Sequence, residues 1–461
     1  MYKVIAAVLI TLALALGVTV GNADTRPTVS ERMVIVGVDG MTFNVLDPLI
    51  AEGKLPTFEK LMREGSRLNL ISEKPMRSPA LWTTVATGHN RSVHRIFDFV
   101  TGSWFWPKKE RKQKQRLVTS DMRAAPAIWN MTSAAQKKNL VVGWLNTWPA
   151  EEINGVMVAP YVAMGQRKQT SIKGKIYEDA KKQTYPAKLF PEIKNLVRSA
   201  KSITKEELER VVVAPPKRSK LYKEVPSLDR YLYTARWSIA STLTNTAIVE
   251  DQLRKNPDTN LVMTYFDGSD TLAHRFWLMR QSEEEIRTRL RNQNFNPDIA
   301  AELKERFGKI IDSYYELLDE MLARIVDAAG PNATIMVVSD HGWQDLDRDK
   351  VIHLGVPFDG KHSLEGAMIV NGPHIKRGIF SDRTLYDITP TALYLMGVGI
   401  PGDLPGDIAL DMISEPFKRT FPPMVLAKGQ KTITTPTSKQ PLDTPFHDTE
   451  IERLKSLGYV Q

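Results

Sequence analysis

The chain has 461 residues, 42% of them hydrophobic and 25% charged, which is enough to bury a large core and too long for one small domain. It has no cysteine, so disulfides, thiolate metal sites and a lipid-modified cysteine behind a signal are all excluded. The net charge of +9 collects partly in runs such as Lys108-Lys109-Glu110-Arg111-Lys112 and Lys217-Arg218-Ser219-Lys220. These read first as solvated basic loops and second as an attraction for anionic substrates or an anionic membrane face; no helix-turn-helix or zinc-finger spacing accompanies them.

Met1-Tyr2-Lys3 gives a short positive start, and residues 4–20 then run without a charge to Gly21-Asn22-Ala23. The pattern predicts a signal peptide over residues 1–23, with an uncleaved N-terminal anchor as the competing reading. Export without disulfides fits a bacterial periplasm or exterior. After a polar linker, residues 33–38 form a continuous apolar run that ends at Asp39-Gly40, the pattern of a buried parallel strand. Residues 44–65 follow with helical spacing interrupted at Leu55-Pro56. Further strands are predicted at 140–145, 261–266, 334–338 and 367–370, separated by helical stretches at 228–253 and 300–328. Strands alternating with helices argue for an α/β sheet with crossover connections. Residues 165–225 and 281–297 are Lys-, Glu- and Pro-rich and fit poorly, which marks them as excursions building a lid or as plain surface loops. The division that follows is a first core segment at 31–164, an inserted cap at 165–257, a second core segment at 258–415, and a Pro/Thr-rich tail at 416–461.

Chemistry-bearing residues recur just past the predicted strands: Asp39 after the first, Asp270 and His274 after 261–266, and Asp340-His341 after 334–338. In an open α/β sheet the loops at the carboxyl ends of strands converge on one crevice, so acids and histidines distant in sequence can meet there. The i, i+4 spacing of Asp270 and His274 places both on one face of a helical turn. Gly342 is read as letting the backbone turn behind Asp340-His341, and His362 stands before the last predicted strand. Carboxylate and imidazole donors without thiolate suit Zn²⁺ or Mn²⁺, and two such ions can serve a phosphoryl transfer that needs a hydroxyl nucleophile. Ser78 is the candidate. It is read as the N-cap of a helix with Pro79 in its first turn, either a plain cap or a nucleophile favoured by the helix N-terminus.

Together, VIVGVDGM (34–41), SPALWTTVATG (78–88), YFDGSDTLAH (265–274), VVSDHGW (337–343) and GKHSLEGAMIVNGPHIKRG (360–378) resemble the alkaline phosphatase superfamily, in its type I phosphodiesterase/nucleotide pyrophosphatase branch. DITPTALYLMGVGIP (387–401) and RLKSLGYV (453–460) extend the resemblance along the chain. It implies a doubly wound, mostly parallel sheet sandwiched by helices, with a variable cap over the substrate. It also implies one metal ion held by Asp39, Ser78, Asp340 and His341, and a second held by Asp270, His274 and His362. Asp267 matches no ligand position. Two departures stand out. Relatives with His-Gly-Ile after the nucleophile helix are matched here by His94-Arg95-Ile96, and the neighbourhood where pyrophosphatase members place an Asn reads Phe97-Asp98-Phe99. Arg95 is therefore the candidate donor to a phosphoryl oxygen, with a plain surface arginine as the alternative. Sulfatases resemble each other around a pattern in which one residue separates the nucleophile from a proline; here Pro79 follows Ser78 directly.

The expected activity is hydrolysis of a small phosphate ester, lipid- or nucleotide-type, through a phosphoseryl intermediate. Monoester and diester both remain open, as do a phosphotransferase, a phosphonate hydrolase or mutase, and an inactive metal- or glycan-binding scaffold. Membrane contact is expected only if the N-terminal segment is retained. Trp104, Trp106 and Trp148 are read as packing or surface residues first and as stacking platforms for a base or sugar second.

Overall fold

The computed structural model describes residues 29–112, 115–160, 182–346, 360–428 and 451. The predicted signal at 1–23, residues 161–164 at the end of the first core segment, residues 165–181 of the predicted cap and most of the tail lie outside the described residues. Among the described residues, no helix is long and apolar enough to cross a membrane.

The first apolar run forms strand β1 (Arg32–Val38), and its two faces explain the architecture. Val34, Val36 and Val38 join one buried cluster while Met33 and Ile35 join another, so both faces of the sheet are covered. The further strands are β2 (Ser66–Ile71), β3 (Asn139–Val142), β4 (Gly155–Val158), β5 (Thr184–Tyr185), β6 (Leu261–Phe266), β7 (Ala333–Val338), β8 (Gly342–Gln344), β9 (Lys361–Ser363), β10 (Glu365–Asn371), β11 (Gly378–Ile379) and β12 (Arg383–Thr384). The large sheet has the order β11-β2-β10-β7-β1-β6-β3-β4-β5, with β12 also on β2, and β8 and β9 form a separate pair. β7, β1, β6, β3 and β4 run parallel. β10 runs against both β7 and β2.

The helices that matter for the site are α1 (Phe43–Ala51), α2 (Ser78–Thr87), α3 (Leu228–Lys255), α4 (Gly268–Phe276), α5 (Ile310–Ala329) and α6 (Ile388–Leu395). Residues of α1, α3, α4 and α5 share the cluster containing Val34, and those of α2 and α6 share the one containing Met33. This is the expected sandwich of a mostly parallel sheet between helical layers.

The interruption expected at Leu55-Pro56 is present: 44–65 forms two helices, Phe43–Ala51 and Pro56–Glu64, divided before Pro56 as proline's fixed φ and missing N–H require. Other details differ from the sequence reading. The stretch 300–328 likewise divides into Ala300–Phe307 and Ile310–Ala329, the first ending at Gly308. β2 was not expected. Its burial alternates residue by residue, which leaves Arg67 and Asn69 on the open side and no continuous apolar run to find. The described part of the predicted cap, 182–257, buries Leu189, Ile193, Leu208 and Leu221 in the same cluster as α3. Residues 281–297, read as an excursion, contain the helix Glu283–Asn292, whose Ile286 and Leu290 enter that cluster too. At the predicted tail, Phe417 is fully buried, and Leu426 pairs with Ile400 through its backbone N–H at 2.8 Å.

Candidate active site

The parallel strands deliver their carboxyl ends to one edge of the sheet. β1 ends there at Val38 and is followed by Asp39; β6 ends at Phe266 and leads into α4 with Asp270 and His274; β7 ends at Val338, two residues before Asp340. The two remaining contributions arrive by reversed chain. Because β10 is antiparallel, its start at Glu365 lies at this edge, and β9 with His362 stands immediately before it. β2 runs against β10 and pairs Ile71 with Glu365, so it too ends at this edge and hands the chain to Ser78. Five separate segments thus reach one place for reasons of strand direction alone.

There the ligand candidates meet. Asp39, Asp340 and His341 present donor atoms within 4.8 Å of one another, and so do Asp270, His341 and His362. His341 stands between the groups, with Nε2 at 3.4 Å from Asp39 Oδ1, 3.6 Å from Asp270 Oδ1 and 3.7 Å from Asp340 Oδ2. His362 Nε2 lies 3.3 Å from Asp270 Oδ1 and 3.2 Å from His274 Nε2. His274 Nε2 in turn lies 3.6 Å from Asp270 Oδ2, as the shared helical face requires. His362 is aligned by the β8–β9 pair, in which it sits opposite Trp343, and its ring stacks on His341 with centroids 3.8 Å apart.

Neighbouring side chains fix these groups. Asp39 Oδ2 accepts hydrogen bonds from Trp82 Nε1 at 3.2 Å and from the Tyr265 hydroxyl, leaving Oδ1 for the site. Asp340 Oδ1 accepts from the Gly40 N–H at 3.4 Å, and the His341 Nδ1 faces the Gly342 carbonyl at 3.1 Å. The latter contact holds the ring with Nε2 toward the carboxylates. Gly342 does not serve as the flexible turn expected of it. A Cβ there would stand 1.9 Å from the Glu365 carbonyl, so close backbone approach is what requires glycine. Gly40 does need its freedom: its φ is +68°, and a Cβ would lie 2.4 Å from Trp343 Nε1. Gly40→Ala is expected to destabilise the protein by about 1–3 kcal/mol, visible as a lowered urea midpoint.

The electrostatics show a cluster short of positive charge. Burial, then the neighbouring Asp39, pushes the Asp340 carboxyl well above the usual carboxylate range. Burial works against a charge on His341 as well, yet Asp340 and then Asp39 and Asp270 hold its imidazole up at about 10. Burial and the adjacent His341 depress His362 to about 3. For Asp270 burial opposes ionisation, but His274, His362 and His341 outweigh it and lower the carboxyl. Among the described residues, Asp39 Oδ1, Ser78 Oγ, Asp340 Oδ2 and His341 Nε2 are buried and make no hydrogen bond. Buried polar atoms left without partners are costly, and divalent cations would satisfy all four at once. The donor set therefore fits the expected metals.

Ser78 occupies the first helical position of α2, with Arg77 as the N-cap and Pro79 next in the first turn. That corrects the cap assignment, and the hydroxyl decides it: a cap oxygen would accept a backbone N–H, and Ser78 Oγ accepts none. Ser78 instead lines a cleft together with Asp39, Asp270, Asp267, Phe99, Trp237 and Asn245. A model of the type I phosphodiesterase/nucleotide pyrophosphatase family matches residues 33–391, from β1 into α6.

The chain belongs to this family.

The match takes in Ser78 and all six other ligand candidates. One solved structure shares the fold, and others show a weaker likeness. Wild-type alkaline phosphatase PafA is 11% identical over 84% of this chain and 100% of its own, with a TM-score of 0.50. Murine ectonucleotide pyrophosphatase/phosphodiesterase 5 is 11% identical over 83% and 100%, with a TM-score of 0.44. Phosphonoacetate hydrolase from Sinorhizobium meliloti 1021, solved with phosphonoformate, is 15% identical over 69% of this chain, with a TM-score of 0.38. The present chain covers 58% of the length of that hydrolase. No curated protein sequence matches the chain.

The structure does not bring every candidate to the cleft. The Arg95 guanidinium donates to both carboxylate oxygens of Glu110, at 2.6 and 2.7 Å, and Arg95 is not among the described residues lining the cleft. Asp98, in the neighbourhood where pyrophosphatase relatives are expected to place an Asn, is buried and takes the Arg77 guanidinium at 2.7 and 2.9 Å. Trp106 and Trp148 are buried packing residues, whereas Trp104 is exposed. Sequence reasoning missed Phe99, Trp237, Asn245 and Asp267 as cleft residues. For Asp267 a signal existed, since it directly follows the β6 run; the helix α3 residues carried none, because a stripe facing a cleft looks like any core stripe.

Proposed function

We propose that the chain is a phosphohydrolase that cleaves phosphate esters, mono- or diester, with Ser78 as nucleophile. One divalent ion is assigned to Asp39, Ser78, Asp340 and His341 and a second to Asp270, His274 and His362, with Zn²⁺ as the first identity and Mn²⁺ as the second. The carrying observation is the convergence of buried, hydrogen-bond-free donor atoms of Asp39, Asp340 and His341, with Ser78 lining one cleft together with Asp39 and Asp270. Family membership supports a hydrolase acting on phosphate esters.

When bound, the ions supply Lewis acidity that lowers the hydroxyl pKa and neutralises phosphoryl oxygens. The protein's own residues do the rest. Ser78 Oγ, its proton given up to solvent, attacks phosphorus, the bond to the leaving alkoxide breaks, and a phosphoseryl (from a diester, substituted phosphoseryl) intermediate forms; water, losing a proton, then displaces Ser78, which takes a proton back as the phosphate product leaves. The position of Ser78 at the start of the ten-residue helix α2 favours negative charge developing there. Trp82 and Tyr265 hold Asp39 in place through its second oxygen. Export with cleavage after Ala23 belongs to the same reading, on the sequence of residues 1–23. Steady-state hydrolysis of aryl phosphate mono- and diesters by the metal-loaded protein tests the proposal. Turnover of either class, rising with Zn²⁺ or Mn²⁺, is expected; two bound ions with no turnover of any ester would make the protein a metal-binding scaffold.

A further inference from the structure

Phe99 forms part of the cleft wall, and the chain leaves that wall as a loop that the chemistry does not use. Its base is an antiparallel pairing: Val118 donates to the Phe99 carbonyl at 2.9 Å, Thr101 donates to the Arg116 carbonyl at 2.8 Å, and Val100 bridges Leu117. The loop is pinned from inside. Trp106 is buried against Phe97, its indole N–H donates to the Val100 carbonyl at 2.7 Å, and Arg111 Nε donates to the Trp106 carbonyl at 2.9 Å. Glu110 is tied to Arg95 at 2.6 Å.

What this scaffold presents outward is one indole and a set of cations. Trp104 is 76% exposed, and among the described residues it is the single aromatic in the set of exposed large hydrophobics. The Arg111 guanidinium lies 4.0 Å from its ring centroid, and Lys108, Lys109 and Lys112 are exposed nearby in sequence. Between Val100 and Leu117 the sequence carries six Lys or Arg against one acidic residue, Glu110, whose carboxylate Arg95 already takes. Val93, 44% exposed, stands two residues before Arg95. Isolated exposed apolar residues are ordinary, but an indole among cations on a pinned loop has a specific physical use. Indoles settle at the headgroup level of a bilayer, and clustered basic side chains are drawn to anionic lipid.

We propose that this loop docks on the anionic face of a lipid bilayer, with Trp104 entering the headgroup layer and Lys108, Lys109 and Lys112 meeting lipid phosphates. Charge complementarity selects this occupant, and docking sets the Phe99 wall of the cleft beside the membrane. The inference stands independently of the activity proposed above. It is tested by flotation of the full chain with vesicles of phosphatidylcholine alone or mixed with phosphatidylglycerol. Binding is expected to require phosphatidylglycerol, to fall with added salt, and to drop in Trp104→Ala. In a Lys108→Glu, Lys109→Glu double variant it is expected to drop by at least about fivefold for each charge removed. Circular dichroism and aryl phosphate turnover of both variants are expected to match the parent, which separates lost docking from lost folding. Vesicle binding that is identical in parent and variants would overturn the proposal, since another part of the chain would then carry it. Retention of soluble polyphosphate without vesicle binding would overturn it in favour of a soluble polyanion.

Discussion

Replacing Ser78 with alanine is expected to lower the turnover of aryl phosphate esters by about 10³-fold or more while leaving the fold and the candidate ligand acids in place. The separation is unusually clean at this position. Ser78 Oγ is buried and makes no hydrogen bond among the described residues, so its removal breaks no contact that holds α2. A buried hydroxyl without a partner is itself a cost, and the metal-free variant is expected to match or exceed the parent in stability by up to about 1 kcal/mol. A pre-steady-state burst of aryl alcohol in the parent, absent in Ser78→Ala, would mark the covalent step. Undiminished turnover in the variant would remove Ser78 from the chemistry and leave the cleft with another nucleophile to find.

Stripping divalent ions with a chelator is expected to abolish turnover and to lower the unfolding temperature, both recovering on addition of Zn²⁺ or Mn²⁺. The physical reason is the charge balance at the sheet edge. Asp39, Asp270 and Asp340 are buried together, and burial with the neighbouring Asp39 already opposes ionisation of Asp340. A ligand that binds only the folded protein stabilises it by about 4 kcal/mol per site at a free concentration a thousand times its dissociation constant. Elemental analysis should return two ions per chain for the parent and fewer for His341→Ala, because His341 Nε2 belongs to both donor groups. An unchanged melting curve after chelation would argue that the acids are held by protein contacts alone.

The sequence by itself determined where the central strands end and which acids follow them. The apolar runs ending at Asp39 and near Asp340 became β1 and β7, and the run at 261–266 became β6 with the same bounds. Such runs are legible because a strand buried on both faces must be apolar throughout, and the following turn is where a polar residue first becomes tolerable. The helical pairing of Asp270 with His274 was legible too, since i, i+4 geometry is local.

Other features were decided only by tertiary structure. Strand direction placed His362 and Ser78 at the edge: β10 runs antiparallel and β2 returns beside it, and no local pattern in either segment announces its direction. The role of Ser78 was undecidable from SPALW, which suits a cap and a nucleophile equally; the orphaned hydroxyl, a fact of three-dimensional packing, removed the cap. For Arg95, local sequence gave no sign of its ion pair with Glu110, fifteen positions away. Local sequence fixes which atoms can do chemistry. Which of them meet, and which are already engaged, depends on contacts between residues far apart in the chain, and a reading by periodicity and spacing does not reach those.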